Sequence, residues 1–234
     1  MSTRKVQFVI GEFYHVIKRG VEERKIFMDD EDRLRFLNSL LVFNDENPAP
    51  WNMRAFWEQR GPTSLLLEGY RAKNPLLEIH AFALMDNHFH LLVRQIREKG
   101  VSNFIKKLGG YSYYFNKKYQ RVGPLFQGRF KAVMIKTDEQ LKNTFVYVST
   151  NPIGLIEPKW KETGIKNIER SKHFLKKYKW SSYPDYLGEE NYHSLIYKNF
   201  FRQLFGNIGN CKEEVESWLE YKVELNKYKD IALE

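Results

Sequence analysis

The chain has 234 residues, with 38 Lys and Arg against 29 Asp and Glu, so its net charge is +9. This length fits one large domain, or one domain with appendages, and can bury a core without cross-links. The single cysteine, Cys211, excludes a disulfide framework and a zinc site built on cysteines. The N-terminal residues lack the apolar region of a signal peptide, and no run of about 18 apolar residues could span a membrane. We therefore expect a cytoplasmic protein.

The positive charge is concentrated in one part of the sequence. Residues 94–142 contain 12 basic and three acidic residues, so this stretch carries +9 and the rest of the chain sums to zero. Tyrosines and phenylalanines lie between the basic residues. This pattern is typical of a surface that binds nucleic-acid phosphates, although a solvated helix face has a similar pattern. The charge alone leaves both interpretations open.

The hydrophobic pattern predicts strands and helices in the order β-α-β-β-α-β-α. The strands are expected at residues 13–19, 77–85, 88–95 and 129–135. The helices are expected to begin near residue 30 and to cover residues 100–119 and 137–151. This order is consistent with an α+β sandwich, in which helices flank a central, mainly antiparallel sheet.

Local signals define several ends of these elements. Asp86 and Asn87 lie between two strand patterns and indicate a hairpin. Thr137 followed by Gln140 is the start of a capping box, so a helix is expected to begin there. Pro152 disfavours helical geometry at the residue before it, which predicts the end of that helix.

We predict a main domain over residues 1–190 and a C-terminal helical extension over residues 191–234. Residues 46–75 hold four prolines without a sustained period, so we expect an irregular insertion that is partly helical at 64–70. The tail from residue 212 contains seven acidic and four basic residues and is typical of a peripheral helix.

The sequence His88-Phe89-His90 lies in a predicted strand, where successive side chains project to opposite faces of the sheet. Both imidazoles therefore share one face, and two neutral imidazoles at this spacing can bind one metal ion. By itself a His-x-His sequence is a weak signal. A two- or four-residue turn would direct His80 to the opposite face, which disfavours a zinc site of three histidines, whereas a three-residue loop would reverse this.

Tyr147 and Asn151 form a second candidate pair. Residues four apart lie on one helical face, so the phenol and the amide oxygen could approach the same ion. The alternative is a tyrosine packed in the core and an asparagine that caps the helix before Pro152. The chain has no GxxxxGKS/T, HExxH or GxSxG motif, so nothing favours nucleotide hydrolysis, thermolysin-type proteolysis or an esterase-type serine nucleophile.

Five stretches of the sequence together carry a resemblance to a known family. They are YHVIKRG at 14–20, MDNHFHLLV at 85–93, YFNKKYQRVGPLFQGRFKAVMI at 114–135, YVSTNPIGL at 147–155 and WSSYPDYLG at 180–188. Over about residues 12–190 the chain resembles the IS200-like single-tyrosine transposases, more closely their REP-associated tyrosine transposase branch. The resemblance implies a ferredoxin-like HUH sandwich in a bacterial, cytoplasmic and nucleoid-associated protein.

The resemblance also implies an activity, which is metal-dependent cleavage and rejoining of single-stranded DNA at sites flanked by REP-like hairpins. Tyr147 matches the nucleophile of the family, and His88, His90 and Asn151 match its ligands for Mg²⁺ or Mn²⁺. The expected products are a 5′-phosphotyrosine and a free 3′-hydroxyl. The protein is expected to be a monomer or a homodimer without membrane partners.

Nine residues are expected to contact DNA, and they are Lys18, Arg19, Lys106, Lys107, Lys117, Lys118, Gln127, Arg129 and Lys131. Two other functions remain open, namely a non-catalytic protein that binds DNA hairpins and an RNA-binding module. The candidate nucleophile and all three candidate metal ligands are present together. This favours the enzyme, because a protein that only binds DNA has no need of all four.

Overall fold

The computed structural model describes residues 6–48, 72–206 and 208–231. In these ranges the sheet has four antiparallel strands in the spatial order β2-β3-β1-β4. The strands are β1 Phe13–Arg19, β2 Leu77–Met85, β3 His88–Gln95 and β4 Lys131–Ile135. All four predicted strands are confirmed, and the last one begins two residues later than the sequence pattern suggested.

The β2–β3 hairpin has the predicted two-residue turn, because Met85 pairs with His88 across Asp86 and Asn87. A register shift between residues 79 and 81 interrupts β2 near His80. The His80 ring lies away from the other two histidines, since its Nδ1 atom is 3.1 Å from a backbone oxygen near the C-terminal helices. The expectation that a two-residue turn directs His80 to the opposite face is wrong, because the register shift places its ring 5.2 Å from that of Phe13, which lies on the same face of the sheet as His90.

The two faces of the sheet differ in character. Tyr14 and Val16 of β1 are buried and pair with Val93 and Leu91 of β3, so one face is apolar. The other face presents the odd-numbered residues of β1 beside the even-numbered residues of β3, because paired residues project to the same side of a sheet. The second face carries the candidate metal ligands.

The helices in the described part of the chain follow the predicted order. They are α1 Asp30–Val42, α2 Gly100–Lys107, α3 Gly109–Lys118, α4 Asp138–Thr150, α5 Trp160–Thr163, α6 Ile168–Lys177, α7 Tyr183–Tyr186, α8 Lys198–Phe205 and α9 Ile208–Ile231. Helix α1 packs on the apolar face, where the rings of Phe36 and Phe89 are 4.8 Å apart. Helix α4 packs against β2 and β3 on the other face. The sheet therefore lies between two helical layers, as the α+β prediction required.

The helix predicted over residues 100–119 is divided into α2 and α3, so the prediction of one continuous helix is wrong. The division falls at Leu108, just before the pair Gly109 and Gly110, and glycine is a poor residue for a helix interior. A Cβ atom at Gly110 would lie 2.9 Å from the ring of Phe43, so α3 can pack there only without a side chain.

Helix α4 begins at the predicted capping box. Thr137 Oγ1 accepts a hydrogen bond from the backbone of Gln140, and the Gln140 side chain accepts one from Lys136 N at 2.8 Å. After Thr150 the chain continues into a 3₁₀ turn, Asn151–Leu155, which begins at the expected position before Pro152. These two signals fix the ends of the helix that carries Tyr147.

The C-terminal helices α8 and α9 pack on the rest of the protein. The ring of Phe201 in α8 stacks on Phe145 of α4 at 5.0 Å, and Cys211, Val215 and Leu219 of α9 are fully buried. The boundary at residue 190 stays a prediction, and side chains from both sides of it belong to one hydrophobic core. Much of the predicted insertion, including its helical part at 64–70, lies outside the described residues.

Within the described ranges, no helix is both long enough and apolar enough to cross a membrane.

Candidate active site

A cleft of about 890 Å³ lies where the β2–β3 hairpin meets the C-terminal ends of β1 and α4. His88, His90, Tyr147 and Asn151 all line it. The hairpin contributes the histidines, α4 contributes the tyrosine, and the 3₁₀ turn after α4 contributes the asparagine. The structure therefore brings together four residues that the sequence places in two separate motifs.

The two histidines lie on the same face of β3, as their spacing predicted. Their ring centroids are 4.9 Å apart, and the ring of His90 is 5.7 Å from that of Tyr147 in an edge-to-face arrangement. Register explains this proximity, because Arg19 and Ile17 of β1 are the direct partners of His88 and His90 and leave both imidazoles facing α4. The tyrosine ring thus lies beside that of His90.

Hydrogen bonds orient both imidazoles. His88 Nδ1 is 2.6 Å from the side-chain oxygen of Asn87, which can only accept, so His88 Nδ1 carries the proton and Nε2 keeps a lone pair. His90 Nδ1 is 2.9 Å from His15 Nε2. Among the described residues His90 Nε2 is buried without a hydrogen-bond partner. When His90 Nδ1 donates to His15, both His88 and His90 present an Nε2 lone pair, the form of histidine that binds metals.

His15 is a residue of this site that the sequence reasoning missed. Its ring stacks on that of His90 at 5.2 Å and lies 5.5 Å from that of Tyr147. A metal-binding histidine commonly donates its second nitrogen to an outer partner, which fixes the orientation of the ring. His15 occupies this partner position. Its place on a predicted strand gave no signal, because the pairing of β1 with β3 is a long-range contact.

All three imidazoles are neutral at pH 7. Burial, with a smaller effect of Lys161, lowers the pKa of His15 to about 4. Burial also lowers the pKa of His88 to about 4, where Arg19 and Lys161 add to the effect. Burial lowers the pKa of His90 well below its ordinary value, and the neighbouring histidines contribute. Neutral imidazoles keep the lone pairs that a metal ion needs.

Lys161 is the second site residue that sequence reasoning missed. Its ammonium group is 3.0 Å from the hydroxyl of Tyr147, 2.8 Å from Oδ1 of Asn151 and 4.3 Å from the centre of the tyrosine ring. Asn151 in turn donates from Nδ2 to the backbone oxygen of Tyr147 at 2.7 Å. The amide group is therefore held with its oxygen toward the cleft.

The candidate ligands are two imidazole nitrogens and one amide oxygen. No group of three or more His, Cys, Asp or Glu side chains that could hold a metal occurs in the described ranges, so a carboxylate-rich site finds no support there. Mixed nitrogen and oxygen donors suit Mn²⁺, and oxygen donors suit Mg²⁺. His90 Nε2, which is buried and has no hydrogen-bond partner in the part of the chain that the structure describes, is the feature that fits such an ion best.

Five of the nine predicted DNA contacts line the same cleft, and they are Lys18, Arg19, Gln127, Arg129 and Lys131. Lys25, Lys159 and Lys161 line it as well, although the sequence reasoning did not select them. Among the described residues of the lining, seven are basic and three are acidic. The surroundings of Tyr147 are therefore positively charged.

The other four predicted contacts lie on α2 and α3, and none of them lines this cleft. Lys106 and Lys117 are exposed. Lys107 donates hydrogen bonds to backbone oxygens of residues 45–47. Lys118 lies within 3.1 Å of three carboxylates, which belong to Asp29, Glu31 and Asp32. The ammonium groups of Lys107 and Lys118 are therefore engaged inside the protein.

The chain is similar to known proteins in sequence and in fold. A family model described as "Transposase IS200 like" matches residues 69–151. One similar solved structure is described as "Structure of the REP associates tyrosine transposase bound to a REP hairpin"; it is 12% identical, covers 82% of this chain and 88% of its own, and has a TM-score of 0.49. No curated protein matches the sequence significantly. The matched segment contains both β3 histidines, Tyr147 and Asn151, so this part of the chain is similar to the IS200-like transposases.

Proposed function

We propose that the protein cleaves and rejoins single-stranded DNA beside hairpins, with Tyr147 as the nucleophile and a divalent ion bound by His88, His90 and Asn151. The observation that carries this proposal is the meeting of these four side chains in one basic cleft. Their assembly from two distant motifs favours an enzyme over a protein that only binds DNA.

The donor set fits a divalent ion. His88 has its Nδ1 proton fixed by Asn87, and His90 Nε2 is buried without a partner among the described residues. The imidazole donors favour Mn²⁺ somewhat over Mg²⁺. Such an ion would supply Lewis-acid polarisation of a phosphate oxygen and would stabilise the charge that develops there.

Two features of Tyr147 support its role as the nucleophile. Its side chain is partly exposed in the cleft, and its hydroxyl accepts a hydrogen bond from Lys161. As the bond between Tyr147 Oη and phosphorus forms, the bond from phosphorus to the 3′-oxygen breaks. The phenol proton passes to water, and the departing 3′-oxygen takes up a proton. The products are a 5′-phosphotyrosine and a 3′-hydroxyl, and the reverse attack needs no ATP because one phosphodiester replaces another.

The cleft also accounts for how a DNA strand would be held. Lys18 and Arg19 lie at the end of β1, while Arg129 precedes β4 and Lys131 is its first residue, so cations from two parts of the chain line the cleft with the histidines. Each phosphate that such cations neutralise contributes about −0.7 to the slope of log affinity against log salt for a single strand. Binding is therefore expected to weaken steeply with salt.

The proposal is tested with labelled DNA hairpins that carry single-stranded flanks, incubated with Mn²⁺ and resolved on a denaturing gel. The wild-type protein should form a covalent adduct, and Tyr147→Phe should form none while it binds the hairpin nearly as well, because phosphate contacts dominate affinity. Tyr113→Phe is the matched control, since Tyr113 is 67% exposed on the basic helix α3 and lies outside the cleft.

Two results would contradict the proposal. An adduct that persists in Tyr147→Phe would assign the nucleophile to another residue. Hairpin binding by the wild-type protein without any adduct would instead support the non-catalytic binding protein.

A further inference from the structure

Lys161 makes three contacts that converge on the proposed reaction centre. Its ammonium group donates to the hydroxyl of Tyr147 and to Oδ1 of Asn151, and it lies 4.3 Å above the tyrosine ring. The residue is exposed at the rim of the cleft and belongs to the short helix α5. It lies ten residues beyond the matched segment 69–151, so the family match assigns it no role.

These contacts place two cations in competition for one oxygen. Asn151 Oδ1 is the only side-chain oxygen of the proposed ligand set, and Lys161 already occupies it at 2.8 Å. An amide oxygen that accepts from an ammonium group is a poorer donor to a metal ion, and two neighbouring positive charges repel each other. The ammonium group and a divalent ion therefore oppose each other at this oxygen.

The tyrosine contact gives Lys161 a second effect. Attack on a phosphodiester places negative charge on the phosphate oxygens, and the reverse reaction places it on the Tyr147 oxygen as that oxygen departs. A cation 3.0 Å from the hydroxyl lies where it can stabilise this charge. The same side chain therefore weakens metal binding and assists the chemistry.

We propose that Lys161 is a catalytic residue with a dual role: its ammonium group occupies Asn151 in the metal-free protein, and in the reaction it stabilises negative charge at Tyr147 and the phosphate. This inference rests on the proposed function. Its signature is a pair of opposite effects in one variant, because removal of the charge strengthens metal binding and slows cleavage. A residue that only supported the local structure would weaken both.

The test uses the full chain and the variant Lys161→Met, which keeps the length of the side chain and removes its charge. Mn²⁺ binding to the DNA-free protein is followed by the loss of the free-ion signal in electron paramagnetic resonance. Cleavage is followed at saturating Mn²⁺ and DNA. We expect Mn²⁺ to bind about fivefold more tightly, because the variant removes one exposed repulsion between the ammonium group and the divalent ion. We expect cleavage to slow about 10²-fold, the typical effect of removing one donor to developing charge.

Two further variants complete the test. Lys166→Met removes the same charge from an exposed position outside the cleft and should match the wild-type protein in both measurements. Lys161→Arg keeps the charge, so it should bind Mn²⁺ as weakly as the wild-type protein and keep part of the wild-type cleavage rate. Thermal unfolding checks that each variant is folded.

The result that would overturn the inference is Lys161→Met with unchanged or weaker Mn²⁺ binding, or with an unchanged rate. Failure of the proposed function would look different, because the wild-type protein itself would then bind no Mn²⁺ or form no adduct. If only the inference about Lys161 fails, the wild-type protein binds Mn²⁺ and forms the adduct, and only the opposite effects of Lys161→Met are missing.

Discussion

The substitution Lys118→Met should destabilise the protein strongly, although a count of charges would assign Lys118 to a DNA surface. Its Nζ atom lies 2.9 Å from Asp29, 3.0 Å from Glu31 and 3.1 Å from Asp32. Asp32 is 0% exposed, so removal of Lys118 leaves a buried carboxylate without its countercharge. Breaking a buried ion pair in this way costs about 3–5 kcal/mol.

The lower end of that range applies here. Asp32 still accepts hydrogen bonds from the backbone of Met28 at 2.8 Å and from the hydroxyl of Tyr119 at 2.9 Å after Lys118 is removed. We therefore expect the free energy of unfolding to fall by about 3 kcal/mol. With a urea dependence of about 3 kcal/mol per M, the unfolding midpoint should fall by about 1 M.

Urea unfolding of Lys118→Met and Lys117→Met measures this effect directly. Lys117 precedes Lys118 on α3 and is exposed, so its substitution should change the free energy of unfolding by less than about 0.5 kcal/mol. Equal midpoints for the two variants would refute the reasoning, because they would show that the carboxylate cluster does not need Lys118.

Three other predictions follow from contacts within the fold. His15→Phe should weaken Mn²⁺ binding about 10- to 100-fold in a titration, since the proposed ligand His90 loses the partner that orients its ring, and unchanged affinity would contradict this. The free energy of unfolding of the metal-free protein should fall between about pH 6.5 and 4, because unfolded histidines take up protons there while His15 and His88 stay neutral with pKa values of about 4. Between pH 7 and pH 5 the free energy of unfolding should fall by about 2 kcal/mol less in His15→Phe than in the wild-type protein. An equal fall in both proteins would be evidence against a buried neutral His15. Gly110→Ala should lower the free energy of unfolding by about 1–3 kcal/mol because its Cβ would meet Phe43 at 2.9 Å, whereas Gly109→Ala, with open space around its Cβ, should not destabilise, and equal urea midpoints would argue against this packing.

Local patterns predicted the parts of the fold that depend on neighbouring residues. The period of two in His88-Phe89-His90 placed both imidazoles on one face, and the two-residue turn at residues 86 and 87 set the register of the hairpin. The capping box at Thr137 located the start of α4. Each of these features is decided within a few residues, so the sequence contains the whole signal.

Long-range contacts explain what the sequence did not predict. His15 reaches His90 only because β1 pairs with β3, a contact 75 residues apart in the chain. Lys161 reaches Tyr147 only because the 3₁₀ turn after α4 returns the chain to the cleft. Lys118 meets a carboxylate 86 residues earlier in the sequence, so a local charge count could not reveal that it is paired.

The central claim is that Tyr147 forms a covalent bond with the 5′-phosphate of a cleaved strand. The most direct measurement is peptide mass mapping of the adduct formed by the wild-type protein with a hairpin oligonucleotide in Mn²⁺. We predict that the added nucleotide mass lies on the peptide that contains Tyr147. A mass addition on a tyrosine between residues 111 and 119, or a folded protein that binds Mn²⁺ and DNA without any adduct, would contradict the claim.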